Sequence, residues 1–362
     1  MKQRRIPTAV VRYQYLRGPN FHVKTLLCVA VAIMPLCVAG ANGQKMKIET
    51  IDYPPSAVAA LHYVPPQVGG TTVPLRGVQT RFMGINDKGI VVGTLILNIL
   101  TERGVGVGLE HGFFYANGKF TLLDGPLTGP NWTEGVAINN RDQVLIRQTA
   151  QDGFHYFIYN MTAKTFTPMS VSGQTIVNNT AVKITLSTVT GFNDNGEISG
   201  FIDNNAGFYG APTLGVSGSL TASAGDAKFT MIRCPNNGPM QIGGMNNADV
   251  VTGICSLSIG FIAKGAAVTL FSDPKTKNTQ PKAINDQNVI TGSEALPGRI
   301  DGGFTYDGSQ FSYLNINVEG PQPTVIQGTP PWLYPQGINN KGVVVGRAER
   351  QGGSAFIATP QP

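Results

Sequence analysis

One ten-residue pattern recurs six times along this chain, and nothing else in the sequence restricts the fold so tightly. The copies are GINDKGIVVG from Gly84, AINNRDQVLI from Ala137, GFNDNGEISG from Gly191, GMNNADVVTG from Gly244, AINDQNVITG from Ala283 and GINNKGVVVG from Gly337. Each starts with Gly or Ala and continues with an apolar residue. Asparagine always follows, as Asn86, Asn139, Asn193, Asn246, Asn285 and Asn339. Three residues later only Gly, Asn or Asp occurs, at Gly89, Asp142, Gly196, Asp249, Asn288 and Gly342. These residue types tolerate a left-handed backbone. Two positions further on stands a β-branched residue every time: Val91, Val144, Ile198, Val251, Ile290 and Val344. The unit reads as strand, tight turn, strand, with the Asn side chain bonding the turn backbone.

Two more strands follow each hairpin. A phenylalanine marks the third, at Phe113, Phe157, Phe208, Phe261, Phe304 and Phe356. The fourth reads FTLLD from Phe120, FTPM from Phe166, FTMIRCP from Phe229, VTLFSDP from Val268 and FSYLN from Phe311, and Pro often closes it. Most repeats lie roughly 53 residues apart and one interval shrinks to about 39, which is the arithmetic of a β-propeller blade. The last repeat ends at AFIATPQP without a fourth strand, while a spare one, KIETIDYPP from Lys47, stands before the first repeat. The sequence therefore predicts an all-β, six-bladed propeller closed by an N-terminal strand that completes the C-terminal blade. Closure leaves only short, protected edges.

The hairpin, with the His111-Gly-Phe113 and His155-Tyr-Phe157 tripeptides after it, resembles the bacterial extracellular repeats called the HAF family. The likeness spans nearly all of the chain after its leader. It implies secretion and a propeller-like array, and it carries no catalytic residues with it.

Charge and export argue together. Lys and Arg number 27 against 21 Asp and Glu, a net charge of +6. Lys2, Arg4, Arg5, Arg12, Arg17 and Lys24 all precede the first acid, Glu49, so the remainder of the chain is close to neutral and the nucleic-acid reading fails. The basic leader runs into TLLCVAVAIMPLCVAGA, Thr25 to Ala41, with small residues at Ala39 and Ala41. This is the grammar of a secretory signal over residues 1–41, cleaved before Asn42, followed by a single propeller domain over 42–362, the alternative being an uncleaved anchor because the apolar run is only marginally short of a membrane span. The product is expected in the periplasm or medium, with no membrane attachment after cleavage. Cys234 and Cys255 remain, and in an oxidising compartment they are candidates for a disulfide, the alternative being two buried thiols.

Chemistry-bearing motifs are missing. The sequence has no G-x-S-x-G elbow, no H-E-x-x-H, no P-loop and no Cys–His pair, so no catalytic residue, metal site or cofactor is assigned. The Asn-Asp turns lack the alternating oxygens and closing Glu of a calcium loop. His111 and His155 hold equivalent repeat positions and read as structural.

Function is expected where the repeats differ. The strand entering each hairpin reads as the innermost. Five residues before the repeat Asn it carries Arg81, Glu134, Thr188, Gln241, Gln280 and Tyr334, and Lys282 and Gln336 stand three before it. Trp132 and Trp332 lie seven before it, in blades two and six, flanking a long insertion in blade one, Thr94 to Glu110. Arg81, Glu134, Trp132, Gln241, Lys282, Trp332, Tyr334 and Gln336 are thus the candidate ligand-binding residues at one channel mouth. A glycan or peptide suits them, though ordinary solvated strand ends would look the same. The leading reading is an exported binding or interaction module. A secreted propeller hydrolase, lactonase-like or glycan-cleaving, and a purely structural surface protein are the alternatives.

Overall fold

The computed structural model describes residues 45–54, 56–57, 67–68, 71–72, 75–101, 104–127, 132–202, 206–214, 227–276, 278–294, 302–314, 332–349 and 354–361. The chain divides into Met1–Asn42 and Gly43–Pro362. The expected export signal lies outside the described residues. Among those described, no helix is long and apolar enough to cross a membrane.

Six antiparallel sheets surround an axis, and the protein is a six-bladed β-propeller. Blade 1 comprises Leu75–Ile85, Val91–Thr101, Gly104–Ala116 and Lys119–Leu122 from the axis outward. Blade 2 is Trp132–Ile138, Gln143–Ala150, Gly153–Asn160 and Thr165–Ser170. Blade 3 is Thr188–Phe192, Ile198–Ile202, Ala206–Gly210 and Thr230–Ile232, and blade 4 is Met240–Met245, Val250–Cys255, Ile259–Lys264 and Ala267–Phe271. Blade 5 holds Thr279–Ile284, Ile290–Glu294, Gly302–Tyr306 and Phe311–Leu314. Blade 6 takes Trp332–Ile338, Val344–Glu349 and Ser354–Pro360 from the C-terminal end, and its outer strand is Met46–Ile51. That strand runs antiparallel to the last one, with Ile48 opposite Ala358 and Ile51 opposite Ala355. The expected closure is present.

The packing follows the periodic residues. All six marker phenylalanines are buried, and each faces the preceding blade. Phe157 packs with Val92 and Leu123 of blade 1, Phe208 with Leu145 and Tyr156 of blade 2, and Phe304 with Val250 of blade 4. Phe113 closes the circle by packing with Val345 and Ala355 of blade 6. An aromatic side chain of this kind buries ~150–250 Å², a gross gain of about 4–6 kcal/mol that is an upper bound.

Two features differ from expectation. The blade 1 insertion is not a loop. Its two strands continue as a ribbon, with Thr94 opposite Gly112, Leu97 opposite Leu109 and a bulge between Leu97 and Asn98. The connection from blade 2 to blade 3 forms its own hairpin, Ser172–Val177 with Thr180–Thr185. A short strand, Thr213–Leu214, adds to the outer edge of blade 2 and covers part of it.

Candidate functional site

The axis is built by the inner strands, and each has a β-bulge at the same place. The register shifts between Phe82 and Gly84, Gly135 and Ala137, Val189 and Gly191, Ile242 and Gly244, Pro281 and Ala283, and Pro335 and Gly337. A bulge re-aims the extra residue. Here the extra residues are Met83, Val136, Thr190, Gly243, Lys282 and Gln336, and all but Gly243 line the central cavity. Just past the bulge only Gly or Ala fits. A Cβ on Gly337 would stand 3.0 Å from the Gly84 Cα, and one on Gly84 3.3 Å from the Ala137 Cα.

One end of the channel is framed by two rings of hydrogen bonds. Each repeat asparagine is buried, and its Oδ1 accepts from the turn backbone. For Asn339 the donors are Lys341 N at 3.0 Å and Val343 N at 3.0 Å. Its Nδ2 then crosses to the next blade and donates to the Asn86 carbonyl at 3.0 Å. The same step runs from Asn86 to Asn139, Asn193, Asn246, Asn285 and back to Asn339, at 3.0–3.3 Å. The left-handed residue of every turn has positive φ, from 58° at Asp142 to 82° at Gly196.

The residues after these asparagines make the second ring. They alternate in type: Asp87, Asn140, Asp194, Asn247, Asp286, Asn340. Each backbone N–H donates to the Oδ1 of the next member, at 2.6–2.9 Å. Every amide Nδ2 in this ring donates to both flanking carboxylates, as Asn340 does to Asp87 and Asp286 at 2.8 Å each. Each carboxylate therefore accepts three hydrogen bonds. The two rings tie the six turns together and line a cavity of about 80 Å³ at this end.

The other end carries the variable residues. Arg81 and Gln336 line one cavity of about 220 Å³ together with Arg347, which the sequence reading missed. The Arg347 guanidinium lies 4.3 Å over the Tyr334 ring. Lys282 faces the same part of the channel, and burial followed by the Arg347 charge pushes its ammonium downward from the usual lysine range. Gln241 and Gln280 share a second cavity of about 190 Å³ with Pro239, Ile254 and Leu257.

Glu134 belongs to a third neighbourhood. It stands opposite Arg147, whose Nη2 donates to its Oε1 at 2.6 Å. Glu110 of blade 1 lies near Glu134. Burial, then the Glu134 charge, push Glu110 up to about 7, against the opposing pull of Arg81 and Arg147. The Arg147 guanidinium also lies 4.8 Å over the Phe154 ring. Trp132 is 40% exposed at the start of its strand, and Trp332 is half-buried opposite Glu349. The candidate residues thus fall into neighbouring groups around one mouth rather than into one enclosed pocket.

No family model matches the chain, and no curated protein matches it.

The remaining sequence candidates occupy local roles. His111 Nδ1 and Asp124 Oδ1 are 2.8 Å apart, as are His155 Nε2 and Asp152 Oδ1. Cys234 and Cys255 are joined by a disulfide with Cα atoms 5.7 Å apart, tying the loop after blade 3 to the second strand of blade 4. Among the described residues no three His, Cys, Asp or Glu side chains gather as a metal centre. Glu110 and Arg147 carried no sequence signal of their own because both lie away from the inner strands. The repeat alignment could have found Arg147, since it and Arg347 both stand eight residues after the repeat Asn.

Proposed function

We propose that the protein is an exported binding module that takes an anionic ligand, such as an acidic glycan or an acidic peptide, at the channel mouth opposite the asparagine rings. The observation that carries this reading is the convergence of Arg81, Arg347 and Gln336 on one cavity, with the Lys282 ammonium beside it. Guanidinium groups recognise carboxylates and phosphates through paired donors. Stacking on Tyr334 holds Arg347 in place before a ligand arrives, which lowers the ordering cost of binding. Lys282 stands where every other blade has an uncharged residue, and Arg81 is the one cation in a slot that holds Glu134, Thr188, Gln241, Gln280 and Tyr334 elsewhere. Export is supported by the leader, by the resemblance to extracellular HAF repeats and by the Cys234–Cys255 disulfide.

A hydrolase is the second reading, favoured by the proton that Glu110 holds near neutral pH beside Glu134. Glu134 is already engaged by the Arg147 guanidinium at 2.6 Å, so it is not free to act as the second carboxylate of a cleaving pair. Binding is therefore the better-supported activity.

Calorimetric titration with uronate-containing oligosaccharides, acidic peptides and their neutral counterparts tests the proposal. Acidic ligands are expected to bind and neutral ones not, and Arg347→Ala is expected to weaken binding at least tenfold. Equal binding of acidic and neutral ligands, or an unaffected Arg347→Ala, would overturn it.

A further inference from the structure

A second feature stands apart from the channel mouth, between blades 4 and 5. Glu294 ends the second strand of blade 5 and is 1% exposed, yet neither carboxyl oxygen has a hydrogen-bond partner. Its neighbour is another acid, Asp273, also 1% exposed, in the turn that follows the outer strand of blade 4. Buried charges are normally paired with an opposite charge or bound to a metal.

The repeats supply an internal control. Glu294 lies nine residues after its repeat asparagine. The same slot holds Leu95, Gln148, Ile202, Cys255 and Ala348 in the other blades, so only blade 5 has a carboxyl there. Gln148 shows how the fold satisfies a polar group in this slot: its Oε1 accepts from Leu127 N at 3.0 Å, and its Nε2 donates to Leu127 O at 3.1 Å. Glu294 has no such arrangement.

The surroundings are oxygen-rich. The Asp273 Oδ1 accepts from Lys275 N at 2.7 Å, and the Tyr313 hydroxyl donates to Oδ2. The Asp273 backbone N–H donates to Thr279 Oγ1 at 2.9 Å, and Thr279 is the cross-strand partner of Glu294. The neighbouring cation is Lys275, whose ammonium sits 4.6 Å over the Tyr313 ring. It offsets one of the two carboxylates and leaves the other uncompensated.

We propose that Glu294 and Asp273, with the Tyr313 and Thr279 hydroxyls beside them, form a site for a hard divalent cation, calcium or magnesium, that pins blade 4 to blade 5. The donors are all oxygen, with no thiolate or imidazole, which selects calcium or magnesium over zinc or copper. Two carboxylates supply the charge, and water completes the shell.

The test uses the mature protein after exhaustive dialysis against chelator. Calcium, then magnesium, is titrated by calorimetry, and melting is followed with and without each ion up to about 10 mM, roughly tenfold above the ~1 mM weak end of extracellular calcium sites. One cation per chain is expected, with a rise of several degrees in Tm that chelator reverses. Glu294→Gln copies the residue that blade 2 already holds in this slot, so it is expected to fold and to lose both effects. Terbium luminescence sensitised through Tyr313 gives an independent readout, expected to fall in Tyr313→Phe. Absence of binding and of any melting response to either ion overturns the proposal. So does stoichiometric binding that survives in Glu294→Gln, which would place the ion elsewhere, for example at the Asp87 ring.

Discussion

At the residue scale the repeat asparagine does three things with one side chain. Its oxygen accepts two turn N–H groups and its amide reaches the next blade, as Asn339 does with Lys341, Val343 and Asn86. Asn339→Ala is expected to cost about 3 kcal/mol, because it leaves buried backbone groups unsatisfied. Asn339→Asp keeps both turn acceptors and sets a carboxylate against the Asn86 carbonyl. It should also destabilise, and a melt as high as the parent's would mean that the inter-blade step contributes nothing. The turn function was legible in the sequence, since Asn followed by Gly, Asn or Asp at fixed spacing is local chemistry. The inter-blade function was not, because its partner lies a whole blade away. Glu110 was hidden for a similar reason: its environment is made by blade 2. Its carboxyl holds a proton up to about 7, whereas an unfolded chain releases it near 4.3. Between those values the native state binds more protons, so stability falls as pH rises through that window. Glu110→Gln should remove this part of the decline. Its Tm advantage over the parent is expected to grow from pH 5 to pH 7.5, and a constant difference in parallel melts would contradict the assignment. Glu294 shifts with the same sign but is present in both proteins, so it cancels in the comparison.

At the element scale each blade balances a small residue against a larger one across its inner hairpin. Phe82 faces Gly93, Val189 faces Gly200, Ile242 faces Gly253, Pro281 faces Gly292 and Pro335 faces Gly346. Blade 2 swaps the order, with Gly135 facing Ile146. This explains why the motif ends in Gly everywhere except AINNRDQVLI. A Cβ on Gly253 would come within 2.1 Å of the Gln241 carbonyl oxygen and 2.8 Å of the Phe261 ring. Gly253→Ala is therefore expected to cost about 3 kcal/mol, the upper part of the overpacking range. A denaturant melt with the parent's midpoint would show that the Gln241 carbonyl and the Phe261 ring give way to the added methyl. The strands themselves were readable from alternation and turn residues. The bulge was not, since its extra residue breaks that alternation at Met83, Val136, Thr190, Gly243, Lys282 and Gln336, positions that, Gly243 apart, face the channel. The blade 1 ribbon also looked like a loop, because TLILNILTERGVGVGLE mixes apolar runs with glycines that a strand rarely tolerates.

At the scale of the whole molecule, ring closure decides how the repeats share stability. Open repeat arrays gain stability from neighbour interfaces and fray from their ends. Here Phe113 packs on blade 6, Asn339 donates to Asn86, and Met46–Ile51 pairs along Ser354–Pro360, so blades 1 and 6 meet through core, ring and sheet. The strand is the most separable of these links. Removing residues 45–52 from the Gly43–Pro362 unit leaves the core and ring contacts in place but exposes the edge of Ser354–Pro360, including the backbone groups that face Ile48 and Thr50. An unpaired edge of this kind recruits other strands. The truncated protein is expected to melt well below the intact unit and to self-associate as its concentration rises. A synthetic peptide of residues 45–52 should dock by strand addition, raise the melting temperature in a saturable way and suppress self-association. A peptide of the same composition in scrambled order should do neither, because the alternation that turns Ile48 inward against the blade 6 core is lost. A truncated protein that melts with the parent and stays monomeric would show that the core and the asparagine rings hold the circle by themselves.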